Sequence, residues 1–187
     1  NLDLKLVKVI DTHIHADHIS ALNELNKRTN CIRVMGEKSK SEVIDLRIKD
    51  GEKIKVEEVE LQAIYTPGHT DCSYSFLMND RVFTGDTLLI NGSGRTDFQN
   101  GNAYDAYDSI FNKLLKLPEK TLVFPAHDYN GKKFSTIENE KNNNPRLQVS
   151  SKEEYADIMN NLNLANPKMM DVAVPANVKG LTLDNIN

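Results

Sequence analysis

Short apolar segments alternate with polar residues along the whole chain, several of them cut off by a glycine or a proline, a pattern that predicts a mixed α/β architecture. Residues 4–10 alternate Leu and Val with Lys before a continuous apolar end, which predicts a first strand. Ile19, Leu22 and Leu25 then recur at helical spacing, predicting a helix over about 18–28 that ends near Thr29-Asn30. Cys31–Met35 predicts a short strand closed by Gly36, and the charged stretch 37–42 a solvated surface segment. Between Asp45 and Tyr65 the pattern predicts two or three strands broken at Asp50-Gly51, the last being Val59–Tyr65, which stops at Pro67. Strands at Tyr74–Met78 and Arg81–Phe83 follow, joined across Asn79-Asp80 as a hairpin.

A helix is predicted over 103–116, capped by Asn102, with Tyr107, Ile110, Phe111, Leu114 and Leu115 on one face. Thr121–Phe124 predicts a further strand. The capping boxes Ser135…Glu138 and Ser151…Glu154 predict helices over about 135–142 and 151–162. Residues 163–187, punctuated by Asn166-Pro167 and Pro175-Ala176, read as an irregular tail. The Gly-rich stretch Asn91–Phe98 carries one cation, Arg95, but lacks the Lys-Ser/Thr ending of a phosphate-cradling loop, so that reading is rejected.

Composition narrows the function classes. A chain of 187 residues fits one domain with a sizeable core. No apolar run approaches the roughly 18–20 residues needed to cross a bilayer, which argues against membrane insertion. A net charge of −4 without a local basic patch argues against nucleic acid as a partner. Cys31 and Cys72 are too far apart for a CxxC motif and build no disulfide framework, which fits a reducing cytoplasm; Cys72 reads as a free buried thiol.

The chemistry concentrates at strand ends. Three of the five histidines, His13, His15 and His18, fall within six positions together with Asp17, directly after the first strand. In an extended segment residues two apart point the same way, so His13 and His15 can converge on one metal ion. Thr-Pro-Gly-His69 follows the strand that ends at Tyr65, Thr-Gly-Asp86 follows Arg81–Phe83, and Pro-Ala-His127 follows Thr121–Phe124. Loops beyond the carboxyl ends of strands gather along one edge of a layered α/β structure, where they can share a ligand.

The ordered motifs His13-Ile14-His15-Ala16-Asp17-His18, Gly68-His69-Thr70, Gly85-Asp86 and Pro125-Ala126-His127-Asp128 resemble the ligand signature of the metallo-β-lactamase superfamily. The resemblance implies a four-layer αβ/βα sandwich with its metal site at one edge. It also implies that residues 1–187 form a single, N-terminally incomplete domain lacking the hairpin and first helix usual for that fold. Gly85–Ile90 continuing to Gly94-Arg95-Thr96-Asp97-Phe98, with Pro125–Tyr129, Asn144-Pro145-Arg146 and Val174–Asn177, is similar more narrowly to the persulfide (sulfur) dioxygenases.

That resemblance implies a non-haem Fe(II) enzyme, one iron per chain, oxidising glutathione persulfide with O2 to sulfite and glutathione. Its ligands would be His13, His69 and Asp86, a two-His-one-carboxylate set that leaves positions open for other ligands. His15, Asp17, His18 and His127 would then surround the ligands, orienting them and handling protons. Tyr129 is the candidate for hydrogen bonding to substrate, and Arg95 and Arg146 for gripping glutathione carboxylates, since a guanidinium fork matches a carboxylate. A rhodanese-type sulfurtransferase partner and a homo-oligomer are compatible with the resemblance.

The same donors also suit a dinuclear zinc hydrolase of glutathione thioesters, of the glyoxalase II type. There His13, His15 and His69 would hold one zinc and Asp17, His18 and His127 a second, bridged by Asp86. A metal-stapled binding module using Cys72 is the third reading.

Overall fold

The computed structural model describes residues 4–185. Strands β1 (Lys8–Ile10), β2 (Ile32–Gly36) and β3 (Leu46–Ile48) make a parallel sheet in that order, with α1 (Leu22–Thr29) crossing between the first two. Next come β4 (Lys53–Val56), β5 (Val59–Tyr65), β6 (Tyr74–Leu77), β7 (Arg81–Gly85) and a small hairpin of β8 (Leu88–Leu89) and β9 (Gly92–Ser93). After α2 (Ala103–Phe111) the chain adds β10 (Leu122–Pro125), β11 (Ser135–Thr136), α3 (Ile137–Asn143), α4 (Lys152–Asn160) and α5 (Met170–Lys179). The second sheet has six strands in the order β11-β10-β7-β6-β5-β4.

Alternation along the strands sorts side chains into three cores. Val34 and Ile48 of the first sheet meet Ile54, Ala63, Tyr74 and Phe76 of the second. On the far side of the second sheet, Val82 and Val123 pack against Ala106 and Ile110 of α2 and Tyr155 and Met159 of α4. On the far side of the first sheet, Met35 packs with Leu22 of α1, while Val174 and Val178 of α5 close over them. Helix, sheet, sheet, helix is the four-layer sandwich expected from the sequence.

Strand direction explains the common edge. β5 and β7 are each antiparallel to β6, and β10 is parallel to β7, so the carboxyl ends of β5, β7 and β10 emerge together. The end of β1 joins them, because the Tyr74 amide at the start of β6 donates to the Thr12 carbonyl at 2.9 Å.

Several boundaries differ from the sequence expectation. The first helix begins at Leu22 rather than near residue 18, because residues 11–20 are held as an irregular loop by Asn177, whose Oδ1 accepts from the Ser20 amide, and by the Ser20 hydroxyl donating to Asp11. The helix expected over 103–116 breaks after Phe111 and resumes as a 3-10 turn at Leu114–Lys116, which turns Leu114 fully into the core. The cap of α3 is Thr136, which accepts from the Asn139 amide at 3.1 Å, while Ser135 pairs in β11. Ser151 caps α4 as expected, accepting from the Glu154 amide at 3.1 Å.

The stretch read as an irregular tail contains α5. Pro175 lies inside that helix and forfeits a single backbone bond, while Ala173 and Ala176 bury their small side chains against the core. Burial of that face outweighs the proline.

Candidate metal centre

The four loops bring their donors to one point. His13 lies at the end of β1, almost fully buried, with Nδ1 2.9 Å from the Thr12 hydroxyl and Nε2 3.7 Å from Oδ2 of Asp86. The Nδ1–H of His69 donates to the Arg95 carbonyl at 2.8 Å, which leaves the Nε2 lone pair facing Asp86 at 3.6 Å. Nε2 of His127 is 3.6 Å from the same carboxylate oxygen and 3.4 Å from Asp17 Oδ2.

Ligand atoms of His13, His69 and Asp86 lie within 4.8 Å of one another, and His15, Asp17 and His18 form a second such group. Two buried polar atoms here, Oδ1 of Asp86 and Nδ1 of His15, have no hydrogen-bond partner among the described residues. A buried carboxylate ringed by imidazoles, with an orphaned oxygen, is a donor set that fits a cation.

Glycines make the approach close. Gly68 has φ +139°, and a Cβ there would lie 2.4 Å from the Ala106 Cα, so only glycine lets the His69 loop pass over α2. A Cβ on Gly94 would sit 1.9 Å from the Asp86 carbonyl oxygen and 3.1 Å from the His69 ring.

Burial pushes the His13 imidazole well below its ordinary range, and the neighbouring His15, His69, His127 and His18 add to the effect. His15 is lowered to about 4, first by burial and then by His18, with Asp86 and Asp17 opposing. Neutral imidazoles keep their lone pairs for a metal. In the unfolded chain these rings titrate near 6.5. As pH falls from there towards 4 the unfolded state binds protons that the folded metal-free state refuses, so its stability drops. The Tm of metal-free protein is therefore expected to fall across that window, as read by calorimetry.

A cleft of about 530 Å³ opens over the donors, lined on one side by His69, Asp86 and His127 and on others by Arg95, Tyr129, Arg146, Leu164 and Ala165. This is the size range of sites for small organic ligands. Tyr129 stands at the mouth, 83% exposed, its ring parallel to that of His127 with centroids 6.1 Å apart. Arg146 is half-buried, donates from Nη1 to the Ser93 carbonyl, and has no carboxylate partner among the described residues.

Arg95 is differently committed. Its guanidinium grips Asp97 with two bonds of 2.7 Å and donates to the carbonyls of Ala165 at 2.7 Å and Leu164 at 3.1 Å. The wall it holds, Leu164 to Pro167, lies in the stretch read as a tail, where nothing but Asn166-Pro167 marked it. Lysine cannot span a carboxylate and two carbonyls at once. Arg95→Lys is thus expected to free this wall, seen as faster limited proteolysis near residues 163–167 and a raised KM.

Cys72 lies beneath the His loop, buried, its sulfur accepting from the Ile14 amide at 3.5 Å, and burial raises its thiol pKa. No helix among the described residues is long and apolar enough to cross a membrane.

Comparison with known proteins places the chain among relatives of the same fold. The metallo-beta-lactamase superfamily profile matches residues 35–127. The mouse mitochondrial persulfide dioxygenase ETHE1 is 44% identical over 181 residues, covering 95% of this chain and 70% of the relative. The crystal structure of ETHE1 from Myxococcus xanthus superposes with a TM-score of 0.92 at 49% identity, covering 95% of this chain and 78% of that one. A hydroxyacylglutathione hydrolase of Dictyostelium discoideum is more distant, at 32% identity over 152 residues, 75% of this chain and 56% of the relative.

Proposed function

The chain belongs to the persulfide dioxygenases of the metallo-β-lactamase superfamily, and within that family we propose that it holds one Fe(II) and oxidises glutathione persulfide with O2 and water to glutathione and sulfite. The observation that carries this reading is the compact set His13, His69 and Asp86, whose ligand atoms cluster within 4.8 Å under an open cleft. Iron held by those three residues would supply a site for the persulfide sulfur and O2 and relay electrons between them, the four electrons that O2 takes up coming from the sulfur as it is oxidised to sulfite. Neutral His13 suits such a ligand, and the Arg95 carbonyl fixes the tautomer of His69.

The remaining residues act on the substrate and on protons. Arg146 faces the cleft as a cation without a carboxylate and is suited to a glutathione carboxylate. Tyr129, exposed at the mouth, keeps a protonated phenol at neutral pH and donates a hydrogen bond to substrate there. His127 and Asp17, 3.4 Å apart, can hold protons released as the oxidised sulfur is hydrolysed. A rhodanese-type sulfurtransferase fits as the source of persulfide. Two free buried cysteines suit a reducing compartment, which we take to be the cytoplasm.

His127 Nε2 lies as near Asp86 Oδ2 as His69 does, which favours the dinuclear zinc hydrolase as the second reading. Elemental analysis of the purified protein, paired with oxygen-electrode and sulfite assays on glutathione persulfide, separates the two. One equivalent of iron with O2 uptake matching sulfite release is expected. Two equivalents of zinc with hydrolysis of a glutathione thioester and no O2 uptake overturns the iron reading.

A further inference from the structure

The loop that carries His15, Asp17 and His18 belongs to no helix or strand. Its shape is set by side chains that reach it from distant parts of the chain. The Ile14 carbonyl accepts from Gln99 Nε2 at 2.8 Å. Beyond Ile14, one residue makes three bonds to the backbone. Asn177 of α5 donates from Nδ2 to the carbonyls of His15 and His18, both at 2.9 Å, and accepts from the Ser20 amide at 2.8 Å through Oδ1. Only one orientation of the amide serves two carbonyls and one N–H.

Those three atoms bracket the turn that places His15 against His13, with centroids 4.2 Å apart, and Asp17 against His127. Asn177 is itself fixed. Ala173 and Ala176 are buried beside it, the Ser41 hydroxyl donates to its carbonyl at 3.2 Å, and the Glu42 amide donates to the Val178 carbonyl at 2.8 Å.

We infer that Asn177 is a positioning residue of the metal centre, holding the His15–His18 turn in place through its backbone from a helix more than 150 positions away. The inference rests on the reading that the histidine cluster binds metal. On the iron reading the turn carries His15, Asp17 and His18, which surround the ligands and orient them; on the zinc reading it carries ligands themselves. Asn177 touches no ligating atom and no substrate; it acts through the backbone of the loop. Groups that orient metal ligands typically contribute about tenfold to a hundredfold in affinity or activity.

The test is chelator competition on reconstituted protein, with Fe(II) and separately Zn(II) as probes, comparing wild type, Asn177→Ala, Asn177→Asp and Val174→Ala. Asn177→Asp keeps the acceptor for Ser20 but sets an oxygen, in place of the donor, against two carbonyls. Val174→Ala loosens the packing of α5 in the cluster that includes Ile14 while leaving every bond of the Asn177 side chain in place. Metal affinity is expected to fall about tenfold or more in both Asn177 variants and less than twofold in Val174→Ala, after matching on the Tm of the metal-free proteins. Wild-type affinity in Asn177→Ala and Asn177→Asp overturns the inference. So does an equal loss in Val174→Ala, which would mean that only the docking of α5 matters. A wild-type chain that retains neither metal overturns the metal reading itself, and the inference with it.

Discussion

Asp86→Ala is expected to purify without metal and to lose persulfide oxidation by more than about a hundredfold in kcat/KM, since even groups that merely orient ligands contribute tenfold to a hundredfold. The reason is geometric. One oxygen of Asp86 lies 3.6 to 3.7 Å from the Nε2 atoms of His13, His69 and His127, and the other is buried without a partner. Among the described residues no other carboxylate reaches that position, because the second acidic residue of the cluster, Asp17, sits on the exposed side against His18 and His127. Elemental analysis beside a sulfite assay reads both losses. Retention of a full equivalent of metal by Asp86→Ala would place the binding site elsewhere. The variant tests the site and not the reaction, since iron and zinc readings alike run through this carboxylate.

Arg146→Met is expected to raise KM for glutathione persulfide with little change in kcat. A charged hydrogen bond to a substrate carboxylate contributes about 1.5–3 kcal/mol, which corresponds to roughly tenfold to a hundredfold in KM. Burial pulls the guanidinium below its ordinary pKa, the sign of a cation held away from water, and among the described residues its one bond is to the Ser93 carbonyl. Replacing it with an apolar side chain of similar length removes a desolvated charge, so the Tm of the substrate-free protein should hold or rise. The persulfide of a small neutral thiol offers no carboxylate, and its KM should be the same in both proteins. An equal rise for both substrates would show that Arg146 shapes the cleft instead of gripping glutathione.

The two arginines illustrate where sequence reasoning stops. Arg95 and Arg146 are alike as residue types in loops near donor motifs. In the folded chain Arg95 spends four bonds on Asp97, Leu164 and Ala165, while Arg146 faces the cleft with a single protein bond. Neither partner of Arg95 beyond Asp97 is local, lying 69 and 70 positions on.

The sequence by itself determined the four donor motifs, the strands that deliver them and the layered class of the fold. Those signals are local: alternation of apolar residues marks a strand, and Pro67, Gly68 and Gly85 mark where it must stop. It also marked the histidine cluster as chemically loaded. The tertiary structure alone decided which donors share one carboxylate, which arginine is free, and that residues 170–179 form a helix despite Pro175. Above all, it decided how the histidine loop keeps its shape. A loop without its own ladder of backbone bonds takes its conformation from whatever packs against it, and here that is Asn177, 157 to 162 positions away, beyond the reach of any local periodicity.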